Sequence, residues 1–112
     1  MMQIHRIGRE QDFTELFRFG RKKEYRFFRL TLRPHNLAFS RFAFIAPKTV
    51  DKRAVVRNRL RRRTREWIRR NIDSLPRSFD VALFFKKEAK SATRKEFYED
   101  LTIIFQDIAK YR

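Results

Sequence analysis

The chain switches several times between two hydrophobic periods. In "EQDFTELFRFG" (10–20), Phe13, Leu16 and Phe17 recur at i, i+3 and i+4, which makes one apolar stripe on a short helix with Gly20 as its stop. In "YRFFRLTLRP" (25–34) the period falls to two. Phe28, Leu30 and Leu32 share one face, and Phe27, Arg29, Thr31 and Arg33 share the other, as in a strand of a half-buried sheet. The turn residues "PHN" (34–36) separate it from "RFAFIAP" (41–47), a second strand ended by Pro47, and the two are expected to form an antiparallel hairpin. "RAVVRNRLRRRTREWIRR" (53–70) returns to the helical period. At about 100° per residue, Val56, Leu60, Thr64 and Trp67 fall within an arc of about 80°, and Ile68 extends one edge. "DSLPRS" (73–78) ends that helix, and "FDVALFF" (79–85) is an apolar, β-favouring run that reads as a buried strand. "TRKE" (93–96) has the spacing of a capping box, with the Thr93 hydroxyl and the Glu96 carboxylate each reaching backbone N–H groups. The helix it opens carries Phe97, Leu101, Ile104, Phe105 and Ile108 on one face. No internal repeat, low-complexity segment or linker interrupts this order. The pattern predicts an α+β fold in a single domain, 1–112.

Charge changes this picture most. The chain carries 29 Lys+Arg against 13 Asp+Glu, a net charge of +16. Such a balance predicts a polyanionic partner, with nucleic acid first and an acidic membrane surface second. The basic residues concentrate on the second helix. Residues 52–70 hold ten basic side chains and one acid, Glu66. A solvated helix face normally mixes signs at i,i+4, so this run points to phosphate, which the planar guanidinium binds through two parallel hydrogen bonds. Asn58, amid the arginines, either contacts a base edge or 2′-hydroxyl or is simply solvated. Phe27 has two readings of its own: a stacking platform beside Arg29, Thr31 and Arg33, or a ring packed under a helix. The apolar face formed by Val56, Leu60 and Trp67 is thinner than membrane-surface helices carry, so no membrane partner is expected.

Catalytic chemistry is poorly supported. His5 and His35 are isolated in sequence, with no carboxylate pair nearby along the chain, and Asp12, Asp51, Asp73 and Asp80 are scattered without metal-ligand spacing. Two glycines, Gly8 and Gly20, cannot make a phosphate-cradling loop. There is no cysteine, which excludes disulfides and zinc–thiolate sites and accords with a reducing cytoplasm. The N-terminal "MMQIHRIGREQDF" lacks the apolar core of a secretory signal, and no apolar run approaches the roughly 18 residues that span a bilayer. No catalytic residue and no protein-held metal is expected.

The stretch "KTVDKRAVVRNRLRRRTRE" (48–66), with its basic approach, Ala54-Val55, then Arg57-Asn58-Arg59 and further basics on one helix, resembles the protein subunit of bacterial-type ribonuclease P. "DF…F…G" (Asp12, Phe13, Phe17, Gly20) and "LP…FDVALFF" (75–85) extend the resemblance over essentially the whole chain. It implies an αβββαβα, ribosomal-protein-like sandwich with a central mixed sheet, a left-handed βαβ crossover and an additional short strand within 21–26. It also implies a role in an endoribonuclease that removes the 5′ leader from precursor tRNA, with the catalytic groups and Mg²⁺ on a catalytic RNA subunit and no protein partner. The implied RNA-subunit contacts are Lys48, Lys52, Arg53, Arg57, Asn58, Arg59, Arg61, Arg62 and Arg65. The implied leader cleft holds Phe13 and Phe17 with Phe27, Arg29 and Thr31. The sequence departs from the family at Pro47-Lys48-Thr49, where one basic residue is missing, and at Thr31, where an aromatic is common; Phe27 or Arg29 is expected to substitute.

Overall fold

Phe79–Phe85 is apolar everywhere except Asp80, and it lies at the centre of a sheet, where a strand is covered on both faces. The computed structural model describes residues 4–111. The elements are β1 (His5–Arg6), α1 (Glu10–Phe19), β2 (Arg21–Glu24), β3 (Phe28–Pro34), β4 (Arg41–Ile45), α2 (Ala54–Asn71), β5 (Phe79–Phe85) and α3 (Arg94–Ala109), with single 3₁₀ segments at Ile72–Ser74 and Lys87–Ser91. The strand order is β1-β4-β5-β3-β2. β5 pairs antiparallel with β3 and parallel with β4, so α2 is the helix of a βαβ unit. The expected α+β architecture with a mixed sheet is present, and the additional strand within 21–26 is β2.

Three expectations need correction. β3 and β4 are not a hairpin: β5 lies between them and pairs with both. The strand buried on both faces takes the middle, and the pair adjacent in sequence is prised apart. A two-residue strand, β1, pairs parallel with β4 at the sheet edge, so the order begins with a strand; two residues are too few to carry a period. Within α2 the fully covered ridge is Val56, Leu60, Thr64 and Ile68, spaced by four. Ile68 is 0% exposed, whereas Trp67 sits at the margin, partly buried, with its ring stacked 5.7 Å from Phe105. The straight i,i+4 ridge packs where the sequence arc centred the Trp.

The main core fills the space between one sheet face and helices α2 and α3. Phe28, Leu30 and Leu32 of β3 and Phe79, Val81, Leu83 and Phe85 of β5 meet Leu60, Ile68, Phe97, Leu101, Ile104 and Ile108. α3 enters this core through a completed capping box. Thr93 Oγ1 accepts from Glu96 N–H at 3.2 Å, and a Glu96 carboxylate oxygen accepts from Thr93 N–H at 3.0 Å. No helix of the described residues is long and apolar enough to cross a membrane.

Candidate nucleic-acid interface

The other sheet face carries the chemistry. Strand register places its side chains in three transverse rows: Arg41–Asp80–Arg33, then Ala43–Ala82–Thr31–Lys22, then Ile45–Phe84–Arg29–Glu24. α1 lies over the first two. Asp12 accepts from Arg41 at 3.2 Å, and Arg41 also grips Asp80 with two hydrogen bonds of 2.8 and 2.7 Å. These contacts, the Asp80 hydrogen bonds foremost, hold the Arg41 guanidinium above its ordinary pKa. Glu15 accepts from Arg33 at 3.1 Å. Leu16, fully buried, packs with Ile7 and Ala82.

α1 can come this close because its last carbonyls face a glycine. A Cβ on Gly20 would stand 2.4 Å from the Leu16 carbonyl oxygen and 2.9 Å from Thr31 Cγ2. Beyond α1 the third row is more open, with Arg29 and Glu24 exposed. Phe17 leans onto Phe84 at 5.5 Å, and Phe13 lies 6.0 Å from Phe17.

Two recesses flank this aromatic pair. The larger, about 820 Å³, is lined by Phe13, Ile7, Ala43 and Ile45 together with Phe44 and with Arg61, Arg65 and Arg69 of α2. Arg65 stands 5.9 Å over the Phe44 ring. The smaller, about 440 Å³, is lined by Phe17, Phe84, Thr31, Arg29 and Lys22 among others. An apolar, aromatic floor beside a cationic wall suits an extended single strand, whose bases stack while its phosphates pair.

The arginines of α2 do not form one surface. Arg57, Arg61, Arg65 and Arg69, spaced by four, make a ridge beside the buried one, and the last three of them line the larger recess. Arg61 donates to the Asn58 side-chain oxygen, and Arg69 pairs with Glu66 at 2.6 Å. Asn58, Arg59 and Arg62 point to solvent, as do Lys48 and Lys52 in the approach to the helix. Arg53, at the helix N-cap, pairs with Asp51 at 3.1 Å. The Arg53 side chain first, and its backbone N–H second, hold the Asp51 carboxyl well below the usual carboxylate range.

Phe13, Phe17, Arg29 and Thr31 therefore converge on neighbouring recesses, Arg29 already paired with Glu24 at 2.6 Å. Phe27 does not join them. It precedes β3 at a bend, is 4% exposed and belongs to the main core. Its N–H donates to Asp100 at 2.9 Å, and Arg26 covers its ring at 4.8 Å. The bend breaks the alternation that had set Phe27 beside Arg29. The residues that the sequence reading missed are Phe84, Ile45 and Ala43. Their signal was the parity of 79–85 and 41–45, hidden because both runs are apolar on both faces.

Among the described residues no group of three or more His, Asp or Glu comes together to hold a metal ion. Glu24, the carboxylate that lines the smaller recess, is paired with Arg29.

A family model described as Ribonuclease P matches residues 1–109. The Ribonuclease P protein component of Chromobacterium violaceum is 31% identical over 110 residues, spanning 98% of this chain and 90% of that one. The component from Azoarcus sp. is 33% identical over 101 residues, spanning 90% and 83%. Among solved structures, the RNase P protein from Thermotoga maritima superposes with a TM-score of 0.83 at 23% identity, covering 92% of this chain and 96% of its own. The Staphylococcus aureus RNase P protein gives 0.82 at 23%, covering 96% and 97%. At that identity the two structures speak for the fold.

Proposed function

The chain belongs to the ribonuclease P protein family, and from that premise we propose that it binds the catalytic RNA of the ribonucleoprotein and holds the single-stranded 5′ leader of precursor tRNA for cleavage. The observation that carries this reading is the larger recess, which Phe13 and Ile45 line together with Arg61 and Arg65. In it a leader base stacks on the aromatic side, and the guanidinium forks take the adjoining phosphates. Phe17, Phe84, Thr31 and Arg29 continue the path into the smaller recess. The solvent-facing set of Arg59, Arg62, Lys48 and Lys52, with Asn58 between the arginines, docks on the catalytic RNA. Arg57, at the start of the groove ridge, and Arg53, beside Asp51, stand at the junction of the two surfaces.

In this division of labour the protein performs no bond-breaking step. The reaction groups and Mg²⁺ belong to the RNA. The protein neutralises phosphates so that two polyanions approach each other, and it fixes the leader's course beside the scissile bond. The test is reconstitution with a ribonuclease P RNA and precursor tRNA at low Mg²⁺. Addition of the protein is expected to restore accurate 5′ cleavage, and RNA-free protein is expected to give no product. Cleavage by the protein alone, or no stimulation of the RNA, would overturn the reading.

A further inference from the structure

A second cluster of arginines lies away from the groove, on the flank of α2 that meets α3. Arg63 is half-buried there, with its guanidinium 5.5 Å from the centre of the fully buried Phe97 ring. Arg59 lies one turn earlier on the same face of α2 (i,i+4), and Arg94, the first residue of α3, lies three residues before Phe97 on the same face of α3. Burial first, then the charges of Arg94 and Arg59, disfavour the protonated Arg63. The acids that could relieve this crowding are engaged elsewhere: Glu66 with Arg69, and Glu96 with Thr93 and Arg26. Among the described residues no carboxylate forms an ion pair with Arg59, Arg63 or Arg94.

Three guanidinium groups from two helices thus converge without a counter-charge. One of them, Arg63, is half-buried against the Phe97 ring. We propose that Arg59, Arg63 and Arg94 form a second phosphate site, which grips one backbone phosphate of the catalytic RNA on the α3 side of α2. The planar forks supply several parallel donors to a single phosphodiester, and the phosphate supplies the charge that the cluster lacks. α2 is then held by RNA on its outer face and on its α3 flank, while the groove on the other flank stays open for a separate strand. This inference rests on the proposed binding of an RNA subunit.

The experiment measures binding of the full chain to a ribonuclease P RNA across a KCl series. Arg59→Gln and Arg94→Gln are each expected to weaken binding. Combined, they should weaken it by less than the product of the two effects, because they share one phosphate. The double variant should also lower the slope of log K against log salt by about 0.7–0.9, the loss of one phosphate contact. Arg62→Gln, outside the cluster, should add its own independent loss. The free double variant should melt no lower than the parent at low salt, since like charges have been removed. A wild-type slope in the double variant, with Arg62→Gln still lowering it, would remove the cluster, Arg59 included, from the RNA interface and leave the subunit reading to Arg62 and the other solvent-facing residues. A lower melting midpoint would reassign the three arginines to packing. If the parent chain fails to bind the RNA at all, both readings fall together.

Discussion

At the scale of single residues, the site depends on how closely side chains and backbone approach. Gly20 takes an ordinary extended conformation (φ −74°), so its need for glycine is steric. The Cβ of Gly20→Ala meets a carbonyl oxygen of α1 and the Thr31 methyl together. The variant is expected to lose about 1–3 kcal/mol in urea unfolding, as overpacked sites do, with α1 displaced from the sheet. Phe17 is half-buried against Phe84 and also lines the smaller recess. Phe17→Ala is expected to weaken holoenzyme binding of precursor tRNA with a leader of several nucleotides by about 1–3 kcal/mol, the range for one stacked base. Affinity for mature tRNA, which has no leader, should hardly change. Binding is to be measured at a temperature where the variant is fully folded. Equal losses for the two ligands would remove Phe17 from the site.

At the scale of elements, the two long helices are stabilised by different means. α3 has both local and tertiary support: a closed capping box and a face buried at Phe97, Leu101, Ile104 and Ile108. Thr93→Ala removes the acceptor for Glu96 N–H and should cost about 1 kcal/mol in thermal or urea unfolding. α2 lacks such local support. Its first turn has no acid, and its N-cap, Arg53, makes no side-chain hydrogen bond to the helix; only Asp51, paired with Arg53 just before the helix, opposes the positive charge at this end of the dipole. Its helicity depends on the buried ridge. Ile68→Ala should therefore destabilise the fold by about 2–5 kcal/mol. Trp67→Ala, at a partly solvated margin, should cost less than the full truncation of a buried ring. Parallel denaturation curves of the two variants test that order.

At the scale of the whole molecule, charge governs behaviour. With a net charge of +16, self-repulsion penalises the compact state at low salt. Pyrophosphate or sulfate bound to the native arginines should raise the melting midpoint by linkage, beyond chloride at matched ionic strength. Few acids oppose the positive charge, and those with structural partners matter accordingly. Glu96 is held below its ordinary value by the Thr93 N–H first and then by the Thr93 hydroxyl, and Asp107 by Lys23 and then Tyr25. Asp51 is lowered by Arg53. Groups lowered on folding stabilise the protein fully above their unfolded-state values, 3.8 for Asp and 4.5 for Glu, and that contribution is lost as pH falls through the folded values. Stability is thus expected to decline below about pH 4.5 as these carboxylates are protonated. Asp107→Asn and Glu96→Gln should each flatten the decline in a pH series of urea midpoints.

The periodicities of 10–20, 53–70 and 93–108 were legible in the sequence because each helix buries one face, and one buried face imposes its repeat on neighbouring residues; 79–85 was legible only as an apolar run, because it is covered on both faces. The concentration of positive charge on α2 was legible too, because charge is counted without reference to geometry. Strand order was not. Nothing local distinguishes a β3–β4 hairpin from two strands parted by β5, since the choice depends on which strand must be covered on both faces. The path of the groove was equally hidden. Arg61, Arg65 and Arg69 become its wall only because α2 packs on the sheet through Val56, Leu60, Thr64 and Ile68. Phe27 left the site, and Phe84 entered it, because a bend and a strand register decide which way a ring points. Each such outcome joins residues far apart along the chain, and only the packed structure brings them into contact.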